Sequence, residues 1–179
     1  MNSSVILTEK DISRILMRMS HEIIEQKSFD PKNTALVGIL TRGVYLARRI
    51  QENIQQIENV KLEVGSLDIS FHRDDLDLRN NLPMVGVTDI PFDIEKKTII
   101  LVDDVLYTGR TVRAALDEII DFGRPSRIQL AVLIDRGHRE LPIRPDFVGK
   151  NVPSNENDSI KVHLKESDER DEVLLQCQK

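Results

Sequence analysis

The stretch Ile99-Ile-Leu-Val-Asp103-Asp104-Val-Leu-Tyr-Thr108-Gly109-Arg110-Thr111 carries the first evidence about the fold. Four consecutive aliphatic residues, Ile99 to Val102, leave no polar face, the pattern of a strand covered on both sides in a parallel sheet. Two adjacent carboxylates follow, then a turn of hydroxyls and glycine, then the helical pattern Val112 to Phe122. A helix entered in this way offers unsatisfied N–H groups and the positive end of its dipole, so the order of residues makes an anion cradle. Gly109 admits a close backbone approach, and Thr108 and Thr111 can donate hydroxyl hydrogen bonds to phosphate oxygens. Asp103 and Asp104 would repel a phosphate. They suit an adjacent group that donates hydrogen bonds, such as sugar hydroxyls, or a metal. The stretch therefore predicts a sugar-phosphate ligand.

A second junction of the same kind lies upstream. Ala35 to Leu40 reads as another buried strand, Thr41-Arg42-Gly43 closes it, and Val44 to Ile57 reads as a helix. A hydroxyl, a guanidinium and a glycine at a strand-to-helix turn make either a second anion site or an ordinary βα turn. Before it, Thr8 and Asp11 resemble a helix cap, and Ile12, Ile15, Leu16, Met19 and Ile23 recur at helical spacing. Arg14, Arg18, His21 and Glu25 fall on the opposite side, which is either a solvated charged face or a phosphate-backbone contact patch. Val60 to Phe71 reads as a strand, 72–81 as a polar lid or hairpin tip, and Leu82 to Val87 as a returning arm. Arg127 to Ile134 is one more strand of parallel type, ending at Asp135-Arg-Gly-His138, the edge where open α/β sheets gather ligands. The rest, with prolines at 142, 145 and 153, reads as irregular, then as short strands at Ile160–Leu164 and Val173–Gln176 around a charged loop.

Composition narrows the function classes. The chain has 179 residues, 40% of them hydrophobic and 31% charged, which fits a single globular α/β domain. A net charge of −5 gives no global attraction to nucleic acid, so any such binding must use a local basic patch. One cysteine, Cys177, excludes an intramolecular disulfide framework. The absence of a signal-peptide pattern or of an apolar run near membrane-spanning length makes the cytoplasm the expected location. Gly38 and Gly43 have Walker A separation, but Val44-Tyr45 stands where Lys-Ser/Thr is required. No Gly-x-Gly occurs, and His21, His72, His138 and His163 are too scattered for a catalytic zinc site.

Val102-Asp-Asp-Val-Leu-Tyr-Thr-Gly-Arg-Thr111 resembles the phosphoribosyl-pyrophosphate (PRPP) motif of type I phosphoribosyltransferases. Gly38-Ile-Leu-Thr-Arg-Gly43, Phe71-His-Arg-Asp-Asp75, Leu133 to Arg144 and Gly149-Lys-Asn-Val-Pro153 extend the resemblance over nearly the whole chain. They resemble the branch in which a uracil phosphoribosyltransferase doubles as a regulator of pyrimidine operons. The resemblance implies a parallel α/β sheet with a small hood, mainly from about 135–179, and a mobile loop at about 72–81. It also implies the reaction of uracil with PRPP to give UMP and pyrophosphate, with Mg²⁺ carried mainly by PRPP rather than by a dedicated protein site.

Carried onto this chain, the resemblance assigns Asp103 and Asp104 to the ribose hydroxyls, with Arg73 as a further catalytic residue. Val105, Leu106, Tyr107, Thr108, Gly109, Arg110 and Thr111 would surround the ribose phosphate, Thr41 and Arg42 the pyrophosphate, and Arg136 the base. A pyr messenger RNA leader would be contacted by Arg18, His21, His138, Arg139, Arg144 and Lys150, in a homodimer or higher homo-oligomer. The alternative is a purely metabolic uracil or purine phosphoribosyltransferase without RNA binding.

Overall fold

The computed structural model describes residues 2–69 and 87–177. In chain order these form β1 (Asn2–Thr8), α1 (Glu9–Ile24), β2 (Thr34–Ile39), α2 (Arg42–Glu58), β3 (Glu63–Leu67) and β4 (Thr98–Leu106). There follow α3 (Arg110–Phe122), β5 (Arg127–Asp135), β6 (Phe147–Asn151), β7 (Ser159–His163), the single turn α4 (Lys165–Asp168) and β8 (Glu172–Cys177). Strands β3-β2-β4-β5-β6, in that order, make a parallel sheet with β4 at its centre.

The unbroken apolar run of β4 is explained by its two covered faces. Ile100 and Val102 pack with Leu36, Ala131 and Leu133 toward α1 and α2. Ile99 and Leu101, pointing the other way, pack with Ala35, Val37 and Val132 toward Ala115 and Ile119 of α3. Burial of each such side chain contributes about 1.5–3 kcal/mol, so a polar residue on either face would be costly. The sheet is the parallel α/β arrangement expected from the sequence.

The helix ends follow their local chemistry. Thr8 and Asp11 form a capping box at the start of α1, with the Thr8 N–H donating to Asp11 Oδ2 at 3.0 Å. Asn59, in the left-handed region at φ 55°, ends α2 and donates its N–H to the Gln55 carbonyl.

Strands β1-β8-β7 form a separate antiparallel sheet. Its Leu7, Val162 and Val173 join the same core cluster as Ile12, Leu16 and Leu46 of α1 and α2, which fixes this sheet to the main body. Two of the strands were not expected from the sequence. β1 is a short segment whose partner β8 lies at the other end of the chain, and β6 is the edge strand of the main sheet in a region punctuated by prolines. β1 depends on a partner at the far end of the chain and β6 on docking against β5, rather than on periodicity. The predicted strand Val60–Phe71 contracts to Glu63–Leu67; the arm at 82–86 and residues 70 and 71 lie outside the described residues. No helix among the described residues is long and apolar enough to cross a membrane.

Candidate active site

β4 continues through the acidic pair rather than stopping before it, so Asp103 and Asp104 sit on the strand's carboxyl end. Each carboxylate is braced by the backbone: Asp103 Oδ1 accepts the Asp104 N–H at 2.9 Å, and Asp104 Oδ1 accepts the Val105 N–H at 2.8 Å. The chain then turns through Gly109, whose φ of +94° favours glycine, and enters α3 at Arg110 without a side-chain cap. The Thr108 hydroxyl accepts the Arg110 N–H at 3.3 Å. α2 likewise begins at Arg42 with no side-chain hydrogen bond from Thr41.

The two junctions meet because of parallel register and one glycine. Gly38 of β2 lies beside Val102 of β4, so the β2–β4 pairing ends where the acidic pair begins. Gly43 then packs so tightly that a Cβ there would lie 2.3 Å from the Val102 carbonyl oxygen. As a result Thr41, Arg42, Asp103, Asp104, Val105 and Thr111 line one polar cleft of about 160 Å³, together with Ile39, Leu40 and Ile69. The cleft combines a guanidinium and hydroxyl donors with two carboxylate acceptors.

Burial pushes the Asp104 carboxyl above its ordinary value, against the Val105 N–H and the positive charge of Arg42, which favour the ionised form. The contribution of this one carboxyl to stability is fully present at low pH and is lost as pH climbs from the ordinary aspartate value, 3.8, through the raised one, because the unfolded chain ionises first. Asp104→Asn keeps the acceptor for Val105 and removes the charge. It is expected to melt above the wild type at pH 7, by about 2–4 °C for each kcal/mol relieved. The difference should vanish near pH 3 in paired thermal scans; a lower Tm at pH 7 would refute the burial penalty.

Beside the cleft, Arg136 is buried and its guanidinium lies 4.1 Å from the centre of the Tyr107 ring. It also donates from Nε to Ser154 Oγ at 3.1 Å and from Nη2 to the Asn155 carbonyl at 2.8 Å. His138 meets Tyr107 edge-on at 6.1 Å, and its Nε2 is 2.5 Å from the Ser154 carbonyl, which puts the proton on that nitrogen. Arg136, His138, Arg139 and Ser154 line a second cavity of about 460 Å³. The loop holding them braces the Thr108 turn: Glu140 and Leu141 both donate N–H groups to the Thr108 carbonyl, at 3.0 and 3.2 Å. Glu140 also accepts from Arg110 Nε at 2.7 Å.

Comparison with known proteins assigns this arrangement to a family. Residues 3–167 match the phosphoribosyl transferase domain. The bifunctional protein PyrR of Bacillus cereus (strain B4264) is 58% identical over 175 residues, 96% of either chain. The chain belongs to the PyrR family of phosphoribosyltransferases. Solved structures agree on the fold. A hypoxanthine phosphoribosyltransferase of Staphylococcus aureus superposes with TM-score 0.70 at 20% identity, covering 98% of this chain and 92% of its own. The HGPRT-ase of Leishmania tarentolae in complex with GMP gives 0.73 at 14%, covering 98% and 97%.

The other residues that resemblance to the PyrR family singles out are distributed unevenly. Arg73 and the rest of the 72–81 loop lie outside the described residues. The RNA candidates separate into two groups. Arg18 donates to the Val148 and Gly149 carbonyls at 3.0 and 2.6 Å and pairs with Glu22. With Arg14 and Lys150 it lines a groove of about 360 Å³, and Lys150 donates to the Ile6 carbonyl at 3.2 Å. His21 is exposed one turn along α1. His138 and Arg139 instead border the second cavity, where Arg139 donates to the carbonyls of Tyr107 at 2.8 Å and Ile143 at 3.0 Å. Arg144 is exposed and lines neither cavity. Sequence reasoning missed Asp168, which binds Arg42 from 126 residues away, because its segment reads as a solvated charged loop.

Proposed function

We propose that this chain transfers the phosphoribosyl group of PRPP to uracil, giving UMP and pyrophosphate, and that the UMP-bound form binds pyr leader messenger RNA to promote transcription attenuation. The observation that carries the transferase half is the single cleft lined by Thr41, Arg42, Asp103, Asp104 and Thr111. Asp103 and Asp104 accept hydrogen bonds from the ribose hydroxyls. Val105 to Thr111, with the uncapped start of α3, hold the 5′-phosphate, while Thr41 and Arg42 hold the diphosphate.

The bond from ribose C1 to the diphosphate oxygen breaks, and a bond from C1 to uracil N1 forms as the N1 proton is lost. Positive charge develops on the ribose between these events. The two carboxylates favour it, and Arg42 stabilises the departing diphosphate. Arg73 is proposed as a further group at the reacting centre, and the Arg136–Tyr107 stack as the support for the base. Among the described residues no cluster of three or more His, Cys, Asp or Glu forms an all-protein metal site. Two carboxylates beside a diphosphate site fit Mg²⁺ held mainly by substrate oxygens and water. When bound, the ion would neutralise diphosphate charge.

The regulatory half is supported by the bifunctional relative and by the groove that carries Arg14, Arg18 and Lys150. His21, Arg144, His138 and Arg139 complete the proposed RNA contacts, and cytoplasmic homo-oligomers are the expected form. Filter binding to a pyr leader transcript, with and without UMP, tests this reading. Arg18→Ala with His21→Ala is expected to weaken binding and lower the salt slope by about one to two, with the transferase rate nearly unchanged. Unaltered RNA affinity would leave α1 a solvated face and favour a purely metabolic enzyme.

A further inference from the structure

We propose that Asp168 is the positioning residue for Arg42, presenting its guanidinium to the diphosphate of PRPP. The inference rests on the reading above that Arg42 binds that diphosphate. Arg42 Nη2 donates to Asp168 Oδ1 at 3.0 Å and Oδ2 at 3.2 Å. Both oxygens thus take one terminal nitrogen. Nε remains buried without a hydrogen-bond partner among the described residues. A buried unpaired donor is costly, and a small shift of the guanidinium as the diphosphate arrives would give it an acceptor.

Asp168 is itself held in place. Its Oδ2 accepts the Leu164 N–H at 3.1 Å and the Ser167 hydroxyl at 2.7 Å. Burial pushes the Asp168 carboxyl up, but the bonds from Ser167, Leu164 and Arg42 outweigh this and hold it at about 2, so the pair stays charged at neutral pH. The whole α4 turn is clamped by Arg49, which binds Glu166 at 2.9 and 2.7 Å and Asp171 at 2.8 Å through two nitrogens. Arg42 and Arg49 lie seven residues, or about two turns, apart on α2, so one helix face meets the segment twice. The carboxylate behind Arg42 is therefore a fixed feature rather than a chance surface pairing.

The test compares ligands with and without a diphosphate. Asp168→Ala is expected to raise KM for PRPP and the inhibition constant of inorganic pyrophosphate about tenfold, the cost of losing one charge-assisted hydrogen bond. It should change kcat less and leave UMP affinity unaltered. Asp168→Asn keeps one acceptor oxygen but turns an amide donor toward Arg42 Nη2 and removes the charge, so it should recover only a minor part of the loss. In an Arg42→Ala background, Asp168→Ala should add nothing. Tighter PRPP binding would make Asp168 a competitor, an equal loss of UMP affinity would mean general damage, and additive losses would mean independence; each overturns the inference. If Arg42→Ala alone leaves pyrophosphate inhibition unchanged, the diphosphate assignment fails and the inference falls with it.

Discussion

Asp103→Asn combined with Asp104→Asn is expected to abolish UMP formation from uracil and PRPP, by on the order of 10³-fold or more, in a protein that still folds. The folding half of the expectation follows from how the carboxylates are held. Their Oδ1 atoms accept the N–H groups of Asp104 and Val105, bonds that an asparagine carbonyl oxygen can keep. Neutralising Asp104 also relieves the cost of ionising a buried carboxyl. On the proposed mechanism, what is lost is negative charge beside a ribose that becomes positive as the diphosphate departs. The same change replaces strong acceptors for the ribose hydroxyls with weaker ones. A steady-state assay, with circular dichroism and a thermal scan of the same sample, separates the two halves. Substantial retained turnover would remove the acidic pair from the active site.

Gly43→Ala is expected to damage both stability and substrate binding, for a reason located in the backbone. The added Cβ would lie 2.3 Å from the Val102 carbonyl oxygen, 3.2 Å from the Val102 carbonyl carbon and 3.4 Å from Asp103 Cα. None of these is the end of a flexible side chain, so the start of α2 must move away from β4. Overpacking of this kind costs about 1–3 kcal/mol, which lowers Tm by roughly 2–12 °C in a domain of this size. The displaced residues include Thr41 and Arg42 on one side of the cleft and Asp103 on the other. A shift near 1 Å between groups that must grip one substrate can cost about 10²-fold. Thermal unfolding and PRPP kinetics should therefore both change; wild-type values for either would show that the junction can relax.

The contrast between these two substitutions marks how far the sequence can be read. The acidic pair and the hydroxyl-glycine turn were legible because each signal is local: an apolar run, two charges, a glycine and a helical period. The lengths of β4 and α3 were legible only roughly, since β4 runs on through the acids to Leu106 and α3 starts at Arg110. Thr41-Arg42-Gly43 was visible as a motif, yet its neighbour was not, because nothing near residue 43 encodes the carbonyl of Val102. Arg136 was expected to meet the base; its stacking on Tyr107 and its bonds to Ser154 and Asn155 became visible only in three dimensions.

By itself, then, the sequence determined a buried parallel strand that delivers two carboxylates to a hydroxyl-glycine turn at a helix start. Period, glycine and charge act within a few residues, and the backbone near Asp103 has little freedom to answer them differently. The tertiary structure alone decided that Gly38 and Val102 share a register, so that two strand-to-helix turns line one cleft. It also decided that Asp168 stands behind Arg42 across 126 residues. Such pairings are set by strand register and core packing, in which the neighbours of a side chain are chosen by the whole fold and leave no periodic trace in the chain.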